Sequence, residues 1–255
     1  MYKQGAVIYF SGTGNTEYVA KLFKENFELR NISIDLIDIQ KYNKLDREYD
    51  FYIFGGPIHA DMIPEILIDW IKNIKDTNKK CIIYSTLADK EDKQGRKYLG
   101  KVVSKKGFEV LVDEAISMPN NYYVAFFKRD SEEEIKQSIV NAKPKVEAIV
   151  NKFLEENLKI INYSKKVFSS KIVYDMFLLY TKKFPKKKFS LDKDKCIDCN
   201  MCEKNCPTNN ISMNNKQLTF KNQCIGCLKC IHRCPTNAIL YKKQNFKQYN
   251  INKYM

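Results

Sequence analysis

Two copies of one cysteine motif constrain this chain more than any other feature of its sequence. Eight of the nine cysteines fall between Cys196 and Cys234, while Cys81 stands alone. The segment 196–211 recurs at 224–239 as C-I-x-C-x-x-C-x-x-x-C-P-T-N-x-I, with each cysteine repeated 28 positions later. Three thiolates spaced by two residues can hold three corners of an iron–sulfur cubane, while a fourth cysteine followed by proline ligates the other cluster. The duplication therefore predicts two [4Fe-4S] clusters.

Two other uses of cysteine explain the pattern less well. Zinc sites would need paired C-x-x-C units on tetrahedral centres, and disulfides would need an oxidising compartment. Neither explains the Cys-Pro that ends each copy. The motif resembles that of bacterial two-cluster ferredoxins, and the resemblance implies two ligand sets. These are Cys196, Cys199, Cys202 and Cys234 for one cluster, and Cys224, Cys227, Cys230 and Cys206 for the other.

The expected chemistry of this segment is single-electron transfer, and none of its residues looks like an acid–base catalyst. Four isoleucines are expected to pack around the inorganic cores and to exclude water. They are Ile197, Ile211, Ile225 and Ile239. His232 is expected to face solvent.

The N-terminal part alternates short apolar runs with helical stretches. The runs are Ala6–Phe10, Ile32–Ile37, Phe51–Phe54, Cys81–Tyr84 and Phe108–Val112, and the clearest helical stretches are Thr16–Leu29 and Ile63–Ile74. Runs of this length and composition suit buried strands. The alternation predicts a doubly wound, parallel, five-stranded α/β sheet, followed by a small α+β domain that carries the cysteines. Ligands of such sheets bind beyond the carboxyl ends of the strands.

A hydroxyl-rich loop between the first strand and the first helix predicts a phosphate site. It reads Ser11, Gly12, Thr13, Gly14, Asn15 and Thr16. Its glycines let the backbone approach an anion, and the N–H groups at the helix start supply positive potential. It is neither a Walker loop nor a dinucleotide G-x-G-x-x-G motif. It resembles the T/S-x-T-G-x-T phosphate loop of flavodoxins, which implies that these six residues bind the phosphate of FMN.

The same resemblance implies contacts to the flavin ring from three further loops. These are Pro57, Ile58 and His59 after the third strand, Thr86 and Leu87 at the end of the fourth, and Asn121 and Tyr122 after the fifth. His59 is one of only two histidines, and a role in proton delivery is one hypothesis for it. One departure concerns the loop 87–95, which is charged and has no aromatic residue. Loose binding of flavin, its exchange as a substrate and its absence all stay open.

Charge is concentrated in the C-terminal part. Residues 1–150 carry 23 basic and 23 acidic side chains, whereas residues 151–195 carry 12 and 5. We predict a flavodoxin-like domain over 1–157, a basic amphipathic connector helix over 158–188, a ferredoxin-type domain over 189–240 and a basic tail over 241–255. The helix that starts at Ser131 should be interrupted or kinked at Pro144. In the connector, Phe168, Ile172, Met176 and Leu179 should form the apolar side that packs between the domains, with a membrane-surface helix as the alternative.

Apart from the connector and the last fifteen residues, the chain resembles bacterial flavodoxin–ferredoxin fusion proteins of anaerobes. The leading hypothesis is an electron-transfer flavoprotein that passes single electrons between two [4Fe-4S] clusters and FMN, and then to a partner enzyme or a small acceptor such as a quinone or free flavin. Whether it is an enzyme is left open. The alternative is a ferredoxin-type carrier whose flavodoxin-like domain binds no flavin and docks on a partner.

The expected partner is a redox protein, with an acidic one suited to the lysines. Nucleic acid is disfavoured, because no recognition helix or stacking platform accompanies those lysines. No stretch is long and apolar enough to span a bilayer, and no cleavable signal is apparent, so the expected location is the cytoplasm. Peripheral contact with a membrane and the oligomeric state stay open.

Overall fold

Five parallel strands form the sheet of the N-terminal part. The computed structural model describes residues 2–88, 94–124, 127–163 and 168–255, and for residues 168–171 it describes the backbone alone. The strands are β1 (Gln4–Tyr9), β2 (Ser33–Asp38), β3 (Phe51–Pro57), β4 (Lys80–Leu87) and β5 (Glu109–Ser117). Their order in the sheet is β2-β1-β3-β4-β5, and all neighbours are parallel. This confirms the predicted doubly wound sheet. The direction of connection reverses at β1 and β3, which is where such sheets bind ligands.

Helices cover both faces of this sheet. They are α1 (Asn15–Glu28), α2 (Glu65–Lys72), α3 (Gly95–Lys105) and α4 (Glu132–Leu154). Two separate apolar clusters lie on the two faces, as expected for strands that are buried on both sides. The side chain of Ser131 accepts from the N–H of Glu134, and Glu134 bonds back to the N–H of Ser131, which completes a capping box for α4. The predicted interruption at Pro144 is wrong, because α4 continues through it.

The cysteine-rich part is small and internally repeated. Its elements are β6 (Phe189–Leu191), α6 (Met201–Lys204), β7 (Ile211–Asn214), β8 (Gln217–Phe220), α7 (Lys229–His232) and β9 (Ile239–Tyr241). Strands β6 and β9 pair antiparallel, as do β7 and β8. The short helices α6 and α7 are each preceded by a residue with positive φ, Asn200 at 58° and Leu228 at 53°, which are equivalent positions of the repeat. The sequence duplication is therefore also a duplication of backbone conformation.

Helix α5 (Phe168–Lys188) connects the two parts, but its buried face differs from the predicted one. Tyr174, Leu178, Thr181 and Phe184 are buried, whereas Ile172, Met176 and Leu179 are 48%, 65% and 65% exposed. The side chain of Phe168, the fourth member of the predicted stripe, lies outside the described residues. The Tyr174 hydroxyl accepts from the N–H of Glu65 at 3.0 Å, at the start of α2. The aromatic side of the helix, and not the aliphatic side, faces the protein.

The C-terminal segment returns to the N-terminal sheet. Tyr249 and Ile251 are buried in the same apolar cluster as α1 and α4, just before and within a 3₁₀ helix (Ile251–Lys253). The prediction that His232 faces solvent is wrong, since this side chain is 4% exposed. Its Nε2 donates to the carbonyl of Asn121 at 2.9 Å, and its Nδ1 accepts from the N–H of Tyr249 at 3.0 Å. The imidazole joins the two halves of the chain, and its burial lowers its pKa to about 4.

The buried hydroxyl of Tyr249 allows the packing of the C-terminal segment against the N-terminal part to be tested. It donates to Oδ1 of Asn15 at 2.5 Å. In Tyr249→Phe the buried amide oxygen loses that donor, which costs about 1–3 kcal/mol. We expect the Tm, measured anaerobically at equal iron content, to fall by about 3–8 °C. Tyr42→Phe is the matched control, because the exposed Tyr42 hydroxyl bonds to no described residue. Equal Tm values for the two variants would contradict the proposed anchor.

Candidate functional site: a cleft between the two parts

The hydroxyl-rich loop lies at the carboxyl end of β1 and is hydrogen-bonded to two neighbouring loops. Gly14 has φ 116°, a conformation that favours glycine, and its N–H donates to Oγ of Ser11 at 3.2 Å. The hydroxyls of Thr16 and Thr86 are hydrogen-bonded at 2.7 Å. The Asn15 side chain donates to the carbonyl of Pro119 at 2.9 Å. The ends of β1, β4 and β5 are thus joined at one edge of the sheet.

A tight turn after β3 forms the second wall. The N–H of His59 donates to the carbonyl of Met62 at 2.8 Å, and the N–H of Met62 donates back at 3.0 Å. The two residues between them, Ala60 and Asp61, have φ of 44° and 65°. Two consecutive left-handed residues describe a type I′ turn, which is strained without glycine. This strain lies beside His59.

These loops surround one cleft of about 730 Å³. Of the thirteen residues predicted to bind FMN, twelve line the cleft, and only Gly14 does not. The twelve are Ser11, Gly12, Thr13, Asn15, Thr16, Pro57, Ile58, His59, Thr86, Leu87, Asn121 and Tyr122. The volume lies within the usual range for pockets that bind small molecules and cofactors. The structure therefore brings together almost all of the residues predicted to bind FMN, while their contact with flavin stays a prediction.

Three residues that the sequence did not suggest close the cleft. Phe177 comes from α5, and Gly226 and Cys227 come from the cysteine-rich part. The ring of Phe177 lies 6.3 Å from those of His59 and Tyr122, centroid to centroid. A Cβ on Gly226 would lie 2.9 Å from Phe177, so this close approach needs glycine. Phe177 thus supplies the aromatic wall that the sequence of loop 87–95 lacks; residues 89–93 of that loop lie outside the described residues.

The polar lining fits a flavin nucleotide. Hydroxyls of the loop can donate to a phosphate, and the aromatic and aliphatic side chains can cover a planar ring. His59 Nδ1 is buried without a hydrogen-bond partner among the described residues, which is what a site missing a polar ligand would show. Burial lowers the pKa of His59 to about 4, so its imidazole is neutral near pH 7. A neutral ring can hydrogen-bond to a ligand, and a role of His59 in proton delivery stays a prediction.

Two cations from the cysteine-rich part reach the phosphate loop. Arg233 donates to the carbonyl of Thr13 at 3.4 Å. Lys229 donates to the side-chain carbonyl of Gln40 at 2.8 Å, and Gln40 in turn donates to the carbonyl of Ser11 at 3.1 Å. Burial lowers the pKa of Lys229, although Asp38 opposes this shift. No sequence signal points to these residues, because they occupy variable positions of the cysteine motif.

The cysteines divide between two further cavities. One is lined by Cys196, Cys199, Cys202 and Cys234, and the other by Cys206, Cys224, Cys227 and Cys230. These are the two sets that the ferredoxin resemblance implies. Of the four isoleucines, Ile211 and Ile239 are buried, whereas Ile197 is 62% exposed. Ile197 nevertheless lines the cavity of Cys196, Cys199, Cys202 and Cys234, so its packing around a cluster stays a prediction.

Backbone N–H groups point at the sulfurs in both copies of the repeat. The N–H of Asn210 donates to Cys206 Sγ at 3.3 Å, and that of Ala238 donates to Cys234 Sγ at 3.2 Å. Burial raises the pKa of Cys202 to about 11 and that of Cys224 to about 12. Bound iron would offset this cost, because a metal favours the thiolate. All nine cysteines are free.

A cubane requires a different arrangement of ligands from that of a single metal ion. Within the described residues, no three His, Cys, Asp or Glu side chains converge closely enough to hold one ion. Each iron of a cubane takes one cysteine thiolate, so four sulfurs surround a volume and do not converge on a point. The two cavities, each enclosed by four cysteines, fit that requirement.

Comparison with protein families gives two matches. Residues 6–118 match the model of the flavodoxin domain, and residues 195–239 match that of the 4Fe-4S dicluster domain. The chain is a flavodoxin–ferredoxin fusion. The fusion therefore combines a flavin-binding type of domain with an iron–sulfur domain, and it is an electron-transfer protein. A search among curated proteins found no match.

Several solved structures are similar to part of the fusion. Oxidised flavodoxin 2 from Bacillus cereus is 18% identical, with 59% of this chain and 99% of that chain covered and a TM-score of 0.43. The flavodoxin of Streptococcus pneumoniae is 16% identical, with coverages of 58% and 99% and a TM-score of 0.42. Rubredoxin oxygen:oxidoreductase from Desulfovibrio gigas is 15% identical over 60% of this chain, with a TM-score of 0.38; the fusion spans 37% of its length.

Proposed function

We propose that the fusion passes single electrons between two [4Fe-4S] clusters and an FMN held in the cleft. The observation that carries this proposal is the contact between the phosphate loop and a cluster segment. A Cβ on Gly12 would lie 2.8 Å from the carbonyl oxygen of Cys227, and Cys227 lines both the cleft and one cysteine cavity. Cofactors in these two sites would be neighbours without any movement of the domains.

The geometry favours a fixed order of the two clusters and the flavin along the path of the electrons. The cavity of Cys206, Cys224, Cys227 and Cys230 shares Gly226 and Cys227 with the cleft, so we call it the proximal cavity. The other cavity shares no residue with the cleft, and its Cys199 is exposed, so we call it the distal cavity. Exchange with an outside donor or acceptor is therefore expected at the distal cavity. The proximal cavity then lies between that surface and the flavin.

The residues of the chain perform defined tasks in this scheme. Each cluster supplies one electron at a time, and flavin can hold two and release them singly or together. Ser11, Thr13 and Thr16 would bind the phosphate. Arg233 and Lys229 would offset the negative charge that the phosphate and the clusters bring together. Phe177 and Tyr122 would cover the ring.

The alternative function is a carrier with a docking domain that binds no flavin. It rests on the charged loop 87–95 without an aromatic residue, whereas the aromatic side chain that Phe177 contributes from α5 supports the flavin proposal. Iron–sulfur chemistry suits a reducing compartment, so we keep the cytoplasm as the proposed location. The donor and acceptor are proposed by class alone: a low-potential one-electron donor and a redox protein or small acceptor.

This proposal is tested by measuring the iron and flavin content of the protein. The protein is purified without oxygen, its visible spectrum is recorded, and iron and extracted flavin are measured per chain. We expect about eight irons, as two cubanes require, and one FMN or a site that fills on titration with FMN. Eight irons with no FMN binding on titration would reject the flavin claim and revive the docking domain.

A further inference from the structure

Exposed apolar side chains are concentrated on the outer face of α5. Thirteen large hydrophobic side chains are exposed among the described residues, and five of them lie within nine residues of this helix. They are Ile172, Val173, Met176, Leu179 and Tyr180, and we call them the apolar stripe. The opposite face is buried against the cleft and the cysteine-rich part. Tyr180 packs against Phe184, with 5.0 Å between the ring centroids, but the other four belong to no apolar cluster of the described residues. Contiguous exposed apolar surface of this kind marks a binding site.

Toward the C-terminal end of α5, the same face of the helix carries lysines. At 100° per residue, Lys183 and Lys187 lie on the side of Met176 and Leu179. A turn after β9 adds two more lysines beside them, since the N–H of Lys242 donates to the carbonyl of Lys188 at 2.7 Å. We call this group the lysine cluster; it comprises Lys182, Lys183, Lys186, Lys187, Lys188, Lys242 and Lys243. No member forms an ion pair with any described residue.

We propose that this face binds to the surface of an anionic phospholipid membrane. The apolar stripe would enter the boundary between headgroups and acyl chains, and the lysine cluster would lie at the level of the phosphates. The binding is peripheral, because none of the helices in the described parts of the chain is long and apolar enough to cross a bilayer. The inference does not rest on the redox function, since it uses only the outer face of α5 and the neighbouring turn.

Composition favours a membrane over a protein partner. The basic residues of α5 and of the turn after β9 are all lysines. Interfaces between proteins are depleted in lysine and enriched in arginine. A lysine beside a membrane can place its aliphatic part along apolar surface and its ammonium group among lipid phosphates. An acidic protein would match the charge of the cluster, but it gives no separate reason for five exposed aliphatic and aromatic side chains next to it.

The test is cosedimentation of the fully loaded, full-length protein with vesicles. One set contains phosphatidylcholine alone, and the other an equal mixture of phosphatidylcholine and phosphatidylglycerol. We expect binding to the anionic vesicles, and at least about tenfold weaker binding for the pair Met176→Glu and Leu179→Glu. The pair Lys183→Glu and Lys187→Glu should weaken binding by a similar factor. Iron content and the visible spectrum should be unchanged in both variants.

Matched controls come from α4, whose exposed face is distant in sequence from the stripe. Val140 is a 56% exposed apolar residue there, and Lys136 and Lys143 are exposed lysines. Val140→Glu should bind vesicles like the parent, and Lys136→Glu with Lys143→Glu should weaken binding by much less than the cluster variant. Three results would overturn the proposal. The first is that the protein does not bind to anionic vesicles. The second is that the pair Met176→Glu and Leu179→Glu leaves this binding unchanged. The third is that the parent protein is a dimer in solution, that this pair of substitutions makes it monomeric, and that neither protein binds to vesicles.

Discussion

Replacing Cys224 by alanine should remove half of the iron and also weaken the binding of flavin. Cys224 lines the proximal cavity, two residues before Gly226, which closes the cleft. Loss of this cluster would leave the loop that carries Gly226 and Cys227 without its main support, because clusters supply much of the stability of so small a domain. We expect about four irons per chain where the parent holds about eight. The dissociation constant for FMN, measured by fluorescence titration, should rise at least about tenfold.

Cys199→Ala is the matched variant at the distal cavity. Cys199 is exposed and lines no part of the cleft, so this variant should lose as much iron while binding FMN like the parent. Cys81→Ala removes a buried cysteine of β4 that lines neither cysteine cavity, and it should keep all of the iron. Equal loss of FMN affinity in the two cluster variants would contradict the assignment of a proximal and a distal cavity.

Replacing Phe177 by alanine should open the cleft on the side of α5. The ring of Phe177 lies 6.3 Å, centroid to centroid, from the rings of His59 and Tyr122. Stacking on an aromatic side chain, together with the apolar area that it buries, contributes about 1–3 kcal/mol to the binding of a planar ring. We expect the dissociation constant for FMN to rise by about 5- to 150-fold. Iron content should not change.

Met176→Ala is the control for this substitution, because Met176 precedes Phe177 on α5 but is 65% exposed. It should leave FMN affinity unchanged. Phe177→Leu should give an intermediate affinity, since it keeps apolar volume without the ring. If Phe177→Ala binds FMN as tightly as the parent, then α5 does not form a wall of the flavin site.

Local motifs explain why so much of the site could be predicted from the sequence. The order of strands and helices places the residues after β1, β3, β4 and β5 at one edge, so twelve of the thirteen predicted residues meet in one cleft. The two sets of cysteines that line the two cavities are likewise those that the resemblance to ferredoxins implies. Gly14 is the exception, because its role is to begin α1 with a φ of 116°, and a Cβ there would face Arg233 and Ile251.

Contacts between the two parts of the chain could not be predicted in the same way. In α5 the aliphatic residues at 172, 176 and 179 have a helical spacing as good as that of Tyr174, Leu178 and Thr181, so periodicity alone cannot choose the buried face. The choice depends on partners distant in sequence, such as the N–H of Glu65 for Tyr174 and Gly226 for Phe177. His232 was likewise assigned to solvent because its partners, Asn121 and Tyr249, belong to other segments.

The most direct test of the central claim is flash reduction of the fully loaded protein, with the visible bands of the clusters and of flavin followed in time. After a flash that delivers less than one electron per chain, we expect the two signals to relax together in a first-order phase whose rate is unchanged on dilution. Cys224→Ala should lose this phase. A relaxation whose rate falls in proportion to protein concentration would mean that electrons pass between molecules, and it would contradict the proposal that one chain connects its clusters to its own flavin.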